Sequence, residues 1–316
     1  MNAGTRSRWG MTALAAVAAS VLLAGCVSAP TVAAPSTSPS ASVAPSPSST
    51  ASASPAAVVC SPAATVSYAP STDSAYAEVI RNREYLLVGV SADTRLLGAV
   101  DPQNPQSFGG FDIAIARLVA KALLGDPNKI RFKVISTANR IPELTKEVNA
   151  ADNAKGGVDM VARAFTMNCA RWKDVSFSAV YFLAHQGLMV PARSTLTSLA
   201  ALPGKTVCAP VGSTSLDNIK AKVPSVKTRG VANHTDCLVL LQQGKVDAIT
   251  GDDAILAGFK AQDPTTIVVD GIELSNEPYG LGVNAKYKDF AAYVNQVLAE
   301  ARTSGAWQKA YDAYLK

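Results

Sequence analysis

The 316-residue chain has no Cys-x-x-C pair and no closely spaced histidines, which removes the usual protein metal sites. It has no Lys/Arg cluster, and its net charge is +5, so nothing favours nucleic acid as a partner. The Gly-Lys-Ser/Thr of a phosphate loop is missing. Residues 27–59 lack every charged and every aromatic side chain and hold only Ser, Ala, Pro, Thr and Val. Such a segment cannot bury enough apolar surface to offset the entropy of ordering, and a disordered tether is expected there.

Ahead of this tether, residues 1–25 read as a signal peptide. Arg6 and Arg8 form a basic start, Met11–Leu23 is apolar but too short to span a bilayer, and small residues precede Cys26. Leu23-Ala24-Gly25-Cys26 resembles the lipobox of bacterial lipoproteins, which implies a lipid on Cys26 and anchoring to the outer face of the cell membrane. Loss of Arg6 and Arg8 lowers the net charge from +5 to +3.

Four cysteines remain: Cys60, Cys169, Cys208 and Cys237. An even number in an exported chain implies disulfides, with three connectivities open. Cys208–Cys237 and Cys60–Cys169 is the favoured pairing.

From Cys60 onward the chain alternates strand and helix, with enough residues for two lobes. Residues 85–90 (YLLVGV) form an apolar strand that ends in the polar Ser91–Thr94. A helix over residues 111–124 presents Ile115, Leu118, Val119 and Ala122 on one face and stops at Gly125. A strand over 130–135 leads to Ser136–Arg140 and a helix beginning near Pro142. Residues 157–182 (GVDMVARAFTMNCARWKDVSFSAVYF) organise the rest: a buried strand, a polar turn at Ala164–Met167, and Arg171 on the first turn of a helix. A guanidinium fork, the Thr166 hydroxyl and the positive end of a helix suit a small carboxylate. Residues 187–190 are expected to complete this first lobe.

The pattern restarts with a strand over 205–209 and Val211–Ser215 leading into a helix, where Gly212, Ser213 and Thr214 can receive an anion. His234-Thr235-Asp236 opens another helix, Val246–Thr250 is a strand that ends in Asp252-Asp253, and Glu277–Val283 is a second crossing between lobes. Residues 289–304 and 307–315 are helices. The expected fold is α/β and two-lobed, of the type II periplasmic-binding-protein kind, with two open α/β lobes joined by two crossover strands. Residues 60–190 with 284–316 form one lobe and 191–283 the other. Polar loops fall at the carboxyl ends of strands, where open α/β sheets bind ligands.

With Val88-Gly89-Val90 and Asp93, Gly110-Phe111-Asp112, Val158-Asp159, Arg171 before Phe177-Ser178, and Gly204-Lys205 before Gly212–Ser215, the chain resembles the family 3 extracellular solute-binding proteins. Residues 137–142 (TANRIP) and His234-Thr235-Asp236 resemble the glutamate/aspartate branch. The resemblance implies a non-enzymatic receptor for an acidic amino acid or its amide. It places Arg171, Thr166, Ser213 and Thr214 on the α-carboxylate, Asp252 on the ammonium, and Arg140, His234 and Thr137 near the side chain. Asp93 matches a further ligand position, and Ala164 stands where relatives often carry Ser or Gly. For the aromatic ring that many relatives stack on the ligand, Phe108 and Tyr181 are the substitutes offered here. Arg163 is unexpected at a strand end: it is a third cation near the site or, the simpler reading, a charge paired with a surface carboxylate. No cofactor and no metal are expected, the receptor is expected to be a monomer, and its partner is an ABC permease or a transmembrane sensor. The competing reading is a cyclohexadienyl-dehydratase-like enzyme on the same fold, whose acid would come from Asp93, Asp252 or His234.

Overall fold

The computed structural model describes residues 68–316. The signal peptide, the tether, Cys26 and Cys60 lie outside the described residues.

The first sheet is built on the strand Leu86–Val90, which is buried along its whole length. Burial on both faces explains its unbroken apolar run, as expected for a strand inside a parallel sheet. It pairs in parallel with Ile130–Val134 on one side and Met160–Ala162 on the other, so that Val88 lies beside both Phe132 and Met160. Gly282–Asn284 and Val175–Phe177 extend the sheet in antiparallel fashion. Alternate side chains divide between its two faces. Leu86, Val88 and Val90 join one core with Ile115 and Val119, while Leu87 joins another with Leu144, Phe165 and Phe177.

The helix Phe111–Leu124 forms as expected, and Gly125 ends it in a left-handed conformation. Its buried stripe is Ile115, Ala116, Val119, Ala120 and Leu123. Leu118 is only half-buried and Ala122 is exposed, so the inward face is rotated from the expected one.

The second sheet runs in the order Lys227–Val231, Thr206–Pro210, Ala248–Asp252, Phe182–Pro191 and Thr266–Val268, and Ser275–Tyr279 also pairs with the long strand Phe182–Pro191. Residues 187–190 were expected to complete the first lobe. They pair instead with Ala248–Asp252 and Thr266–Val268, inside the second sheet. The chain leaves the first sheet after Phe177, and it returns between Tyr279 and Gly282. An apolar run alone does not say which sheet will bury it.

The Cys208–Cys237 disulfide forms, with the two Cα atoms 5.6 Å apart, and ties the strand Thr206–Pro210 to the helix His234–Gln242. Cys169 is also disulfide-bonded, but its expected partner Cys60 is outside the described residues.

Asp93 does not sit in a simple loop. Asp93–Thr94 pairs with Gly98–Asp101, which pairs with Asn104–Gly109, in a small antiparallel sheet.

Candidate functional site

The ends of strands from both sheets converge on three arginines. Arg140, Arg163 and Arg171 are all buried, at 3 %, 1 % and 8 % exposure. Arg171 begins a three-residue 3-10 turn, Arg171–Lys173, not an α-helix. The expected positive helix end is therefore absent, and the backbone N–H of Arg171 is already taken by Asn168 Oδ1 at 2.9 Å.

Two of the guanidiniums meet at one atom. Nη2 of Arg140 and Nη2 of Arg171 both donate to the carbonyl oxygen of Gly212, at 2.9 and 3.0 Å. Gly212 belongs to the second lobe, has φ +77°, and leaves only 3.0 Å between an added Cβ and the Cα of Ala138 in the first. A side chain there would be strained and would push the lobes apart. Both guanidiniums also lie over the ring of Phe165, at 4.6 and 5.2 Å from its centroid. Their remaining hydrogen bonds go to carbonyls: those of Thr137, Arg163 and Ala164 for Arg140, and that of Thr166 for Arg171.

Among the described residues, neither Arg140 nor Arg171 has an ion-pair partner, whereas Arg163 stands 3.9 Å from Asp93. Burial depresses the Arg140 guanidinium well below its usual value, and Arg171 and Arg163 add to this by repulsion. Burial lowers Arg171 as well, against the opposing pull of Glu277 and Asp252. Guanidinium does not give up its proton in proteins, so this penalty persists until an anion offsets it.

An acidic wall belongs to the second lobe and the returning crossing. Asp252 ends the strand Ala248–Asp252, and its carboxylate receives the Tyr279 hydroxyl and, at 3.5 Å, that of Ser215. Burial, reinforced by the nearby Glu277, pushes Asp252 up to about 7. Glu277 is itself buried and accepts from Thr214 at 2.6 Å, Ser275 at 2.5 Å and Asn218 at 3.1 Å.

Between the lobes lies a third group. Thr137 receives Arg163 Nη1 at 2.6 Å, and Asn233 receives Nη2 at 3.4 Å. Of the two readings of Arg163, the surface pair fails, because the side chain is wholly enclosed. Asp93 accepts from Ser91 and from both the N–H and the hydroxyl of Thr235. Burial alone would raise Asp93, but the Thr235 and Ser91 hydrogen bonds prevail and hold it below the usual carboxylate range. His234 is buried beside them, and its Nδ1 has no hydrogen-bond partner among the described residues. Burial, with Arg163 next in weight, lowers His234 to about 3 and keeps the ring uncharged.

The remaining expected residues divide. The Thr166 hydroxyl lies 3.4 Å from that of Thr214, so these two meet across the lobes. Ser213 is turned inward: its hydroxyl donates to Pro210 O and caps the helix Thr214–Lys222 through Leu216 N. Ala164 has φ +41°, and both its backbone groups are used, the N–H by Asp112 and the carbonyl by Arg140. Neither aromatic substitute stands at the guanidiniums. Phe108 packs on Phe132, and the Tyr181 hydroxyl donates to Asp112 at 2.6 Å. The ring beneath the arginines is Phe165.

Sequence reasoning also missed Tyr279, Glu277 and Asp112. Asp112 opens the helix Phe111–Leu124, and burial raises it to about 6 although Tyr181 and Ala164 donate to it. The signal for Phe165 was its place in the polar turn, where an apolar ring has no reason to be exposed.

The family model for bacterial extracellular solute-binding proteins, family 3, matches residues 86–316. The ABC transporter glutamine-binding protein GlnH of Bacillus subtilis is 34 % identical over 238 residues, covering 75 % of this chain and 83 % of that protein. A glutamine-binding protein of Geobacillus stearothermophilus is 38 % identical over 214 residues, covering 67 % and 78 %. The glutamate-binding protein GluB of Corynebacterium efficiens is 28 % identical over 229 residues, covering 70 % and 76 %. Among solved structures, the cysteine-binding protein of Campylobacter jejuni matches with a TM-score of 0.69 at 26 % identity, covering 76 % of this chain and 93 % of that one. An arginine-binding protein of T. maritima, in a mutant form, matches with a TM-score of 0.66 at 29 % identity, covering 75 % and 98 %. The chain belongs to the bacterial extracellular solute-binding proteins of family 3.

Proposed function

We propose that this protein is a receptor outside the cytoplasm that binds an acidic L-amino acid, or its amide, between its two lobes. The observation that carries the reading is the pair of buried guanidiniums, Arg140 and Arg171, that share a carbonyl and have no carboxylate partner among the described residues. Buried charges are ordinarily paired. Two such cations suit a ligand with two anionic groups, and Asp252 on the facing wall suits its ammonium. The names of the glutamine- and glutamate-binding relatives fit the same ligand class.

In this reading Arg171, with Thr166 and Thr214 beside it, takes the α-carboxylate. Arg140, Thr137 and His234 approach the side chain. Closure of the lobes excludes water and strengthens each ion pair. A lipid on Cys26 would hold the receptor beside the membrane, where an ABC permease or a transmembrane sensor reads the closed form.

A dehydratase-like reading needs a proton donor in the cleft. Asp93 is held ionised by Thr235 and His234 is held uncharged, which leaves Asp252. Asp252 stands on the acidic wall, where it can meet an ammonium, so we assign it to binding.

The test is calorimetry on two variants. Arg171→Ala is expected to abolish binding of every amino acid, and Arg140→Ala to relax side-chain choice while binding persists. Equal losses from both variants, for all ligands, contradict this division of roles.

A further inference from the structure

Arg163 has no part in the assignments above, yet it is among the most enclosed side chains of the molecule, at 1 % exposure. It follows the strand Met160–Ala162 and reaches across to the second lobe. Its Nε donates to Ile135 O at 2.8 Å, Nη1 to the Thr137 hydroxyl at 2.6 Å, and Nη2 to Asn233 Oδ1 at 3.4 Å. These three bonds leave part of the guanidinium unengaged. Asn233 is the N-cap of the helix that His234 begins, and Asp236 closes the capping box from within that helix. Arg163 therefore grips the cap of the helix that carries His234. The Nδ1 atom of His234 is buried and has no hydrogen-bond partner among the described residues. An unpaired polar atom in a buried position is costly, and a ligand group that meets it recovers the lost hydrogen bond.

We propose that Arg163 is a specificity-determining positioning residue: by gripping Thr137 and Asn233 across the two lobes, it fixes His234 and governs the choice between a side-chain carboxylate and a side-chain amide. The inference rests on the receptor reading above and extends it to a residue that reading leaves out.

The charged groups that bear on His234 come from every side. Arg163 follows one strand of the first sheet, Arg140 lies on the short helix Arg140–Thr145, and Asp93 lies in the small antiparallel sheet. Asp236 lies on the same helix as His234 and is spent on the cap. Arg163 and Arg140 oppose a proton on the ring, and Asp93 favours one. With Arg163 in place the ring stays uncharged across the neutral range, and the cation that a ligand carboxylate meets is a permanent one. Without it, a charge that opposes a proton on His234 is gone, and the ring can add a pH-dependent cation to the permanent one of Arg140.

The test measures the ratio of glutamate to glutamine affinity by calorimetry between about pH 5.5 and pH 8, a range that brackets the ordinary histidine value. The unaltered protein is expected to give a ratio that does not change with pH. Arg163→Met is expected to lower the ratio about tenfold at pH 8, because His234 is no longer held in place against the ligand side chain. The ratio should then recover as pH falls and His234 charges. Arg163→Lys, which keeps the charge, should stay flat. A ratio in Arg163→Met equal to that of the unaltered protein at every pH overturns the proposal.

Because Arg163 is buried, a second measurement uses the unaltered protein. The chain has two histidines, so the imidazole signals to assign are few. In an NMR titration over this range the imidazole signals of His234 should not move. Movement of His234 near the ordinary histidine value overturns the proposal without any ligand being present. Failure of the unaltered protein to bind any amino acid, with His234 silent, would remove the receptor reading and leave the hold of Arg163 on His234 intact.

Discussion

Asp93 and Thr235 join the two lobes. One carboxylate oxygen of Asp93 accepts both the backbone N–H, at 3.0 Å, and the hydroxyl of Thr235. Asp93 lies in the first strand of the small antiparallel sheet, and Thr235 lies in the first turn of the helix His234–Gln242. Their contact can exist only when the lobes are together. Thr235→Val keeps the N–H and removes the hydroxyl, and a hydrogen bond to a charged group contributes about 1.5–3 kcal/mol. Affinity for the ligand is expected to fall about tenfold or more, with the order of preference among amino acids unchanged. Calorimetry on the variant checks this, and an unchanged affinity would mean that the contact does not stabilise closure.

Asp252 sets stability against binding. Its carboxylate is raised from 3.8 to about 7 by burial and by Glu277. A group raised in the folded state contributes stability that is fully present below its unfolded value and is lost as pH rises through its folded value. The ligand-free protein should therefore lose stability between about pH 4 and pH 7 from this group. Asp252→Asn keeps an acceptor for the Tyr279 hydroxyl and removes the charge. Its thermal unfolding temperature at pH 8 should exceed that of the unaltered protein, while amino-acid binding is lost. A variant that is both less stable and still able to bind contradicts this role.

The same shift gives binding its own pH dependence. An ammonium needs Asp252 ionised, so below about pH 7 a proton must leave when the ligand enters. Affinity should decline by up to about tenfold per pH unit there, the limit for one linked proton. Calorimetry in buffers of different ionisation enthalpy counts that proton directly. Uptake of a proton, or none, would place the ammonium elsewhere.

The Cys208–Cys237 bond holds the helix that carries His234 to the strand Thr206–Pro210, across a sequence separation of 29 residues. Closing a loop of that size stabilises by about 3 kcal/mol. Cys208→Ser with Cys237→Ser should lower unfolding stability by that amount in denaturant titration and weaken ligand binding further. Unchanged binding would show that the helix start keeps its place without the bond.

Much of this was legible in the sequence, and the reasons are physical. The strand Leu86–Val90 and the helix Phe111–Leu124 announce themselves by unbroken burial and by helical spacing with a glycine stop. Asp93–Gly109 did not read as a sheet because its strands are short and rich in Pro, Gln, Asn and Gly, with little apolar alternation to mark them. Residues 187–190 were misplaced because burial fixes a strand's composition and not its partner. Arg140, Arg171 and Asp252 could be named from their motifs, whereas Phe165, Tyr279 and Glu277 could not. A ring under a guanidinium, or a hydroxyl on a buried acid, depends on which lobe surfaces meet, and spacing along one chain does not encode that. Arg163 was visible as an oddity, and only its enclosure by Thr137, Asn233 and Asp93 gave it meaning.

The central claim is that Arg140 and Arg171 each await one carboxylate of an acidic amino acid. Its most direct test is a calorimetric titration of the protein with the twenty amino acids, after unfolding and refolding to remove carried-over ligand. The expected result is tight binding confined to glutamate, aspartate and their amides, with one ligand per chain. Binding of none of them, or equal binding of apolar and basic amino acids, would contradict the account.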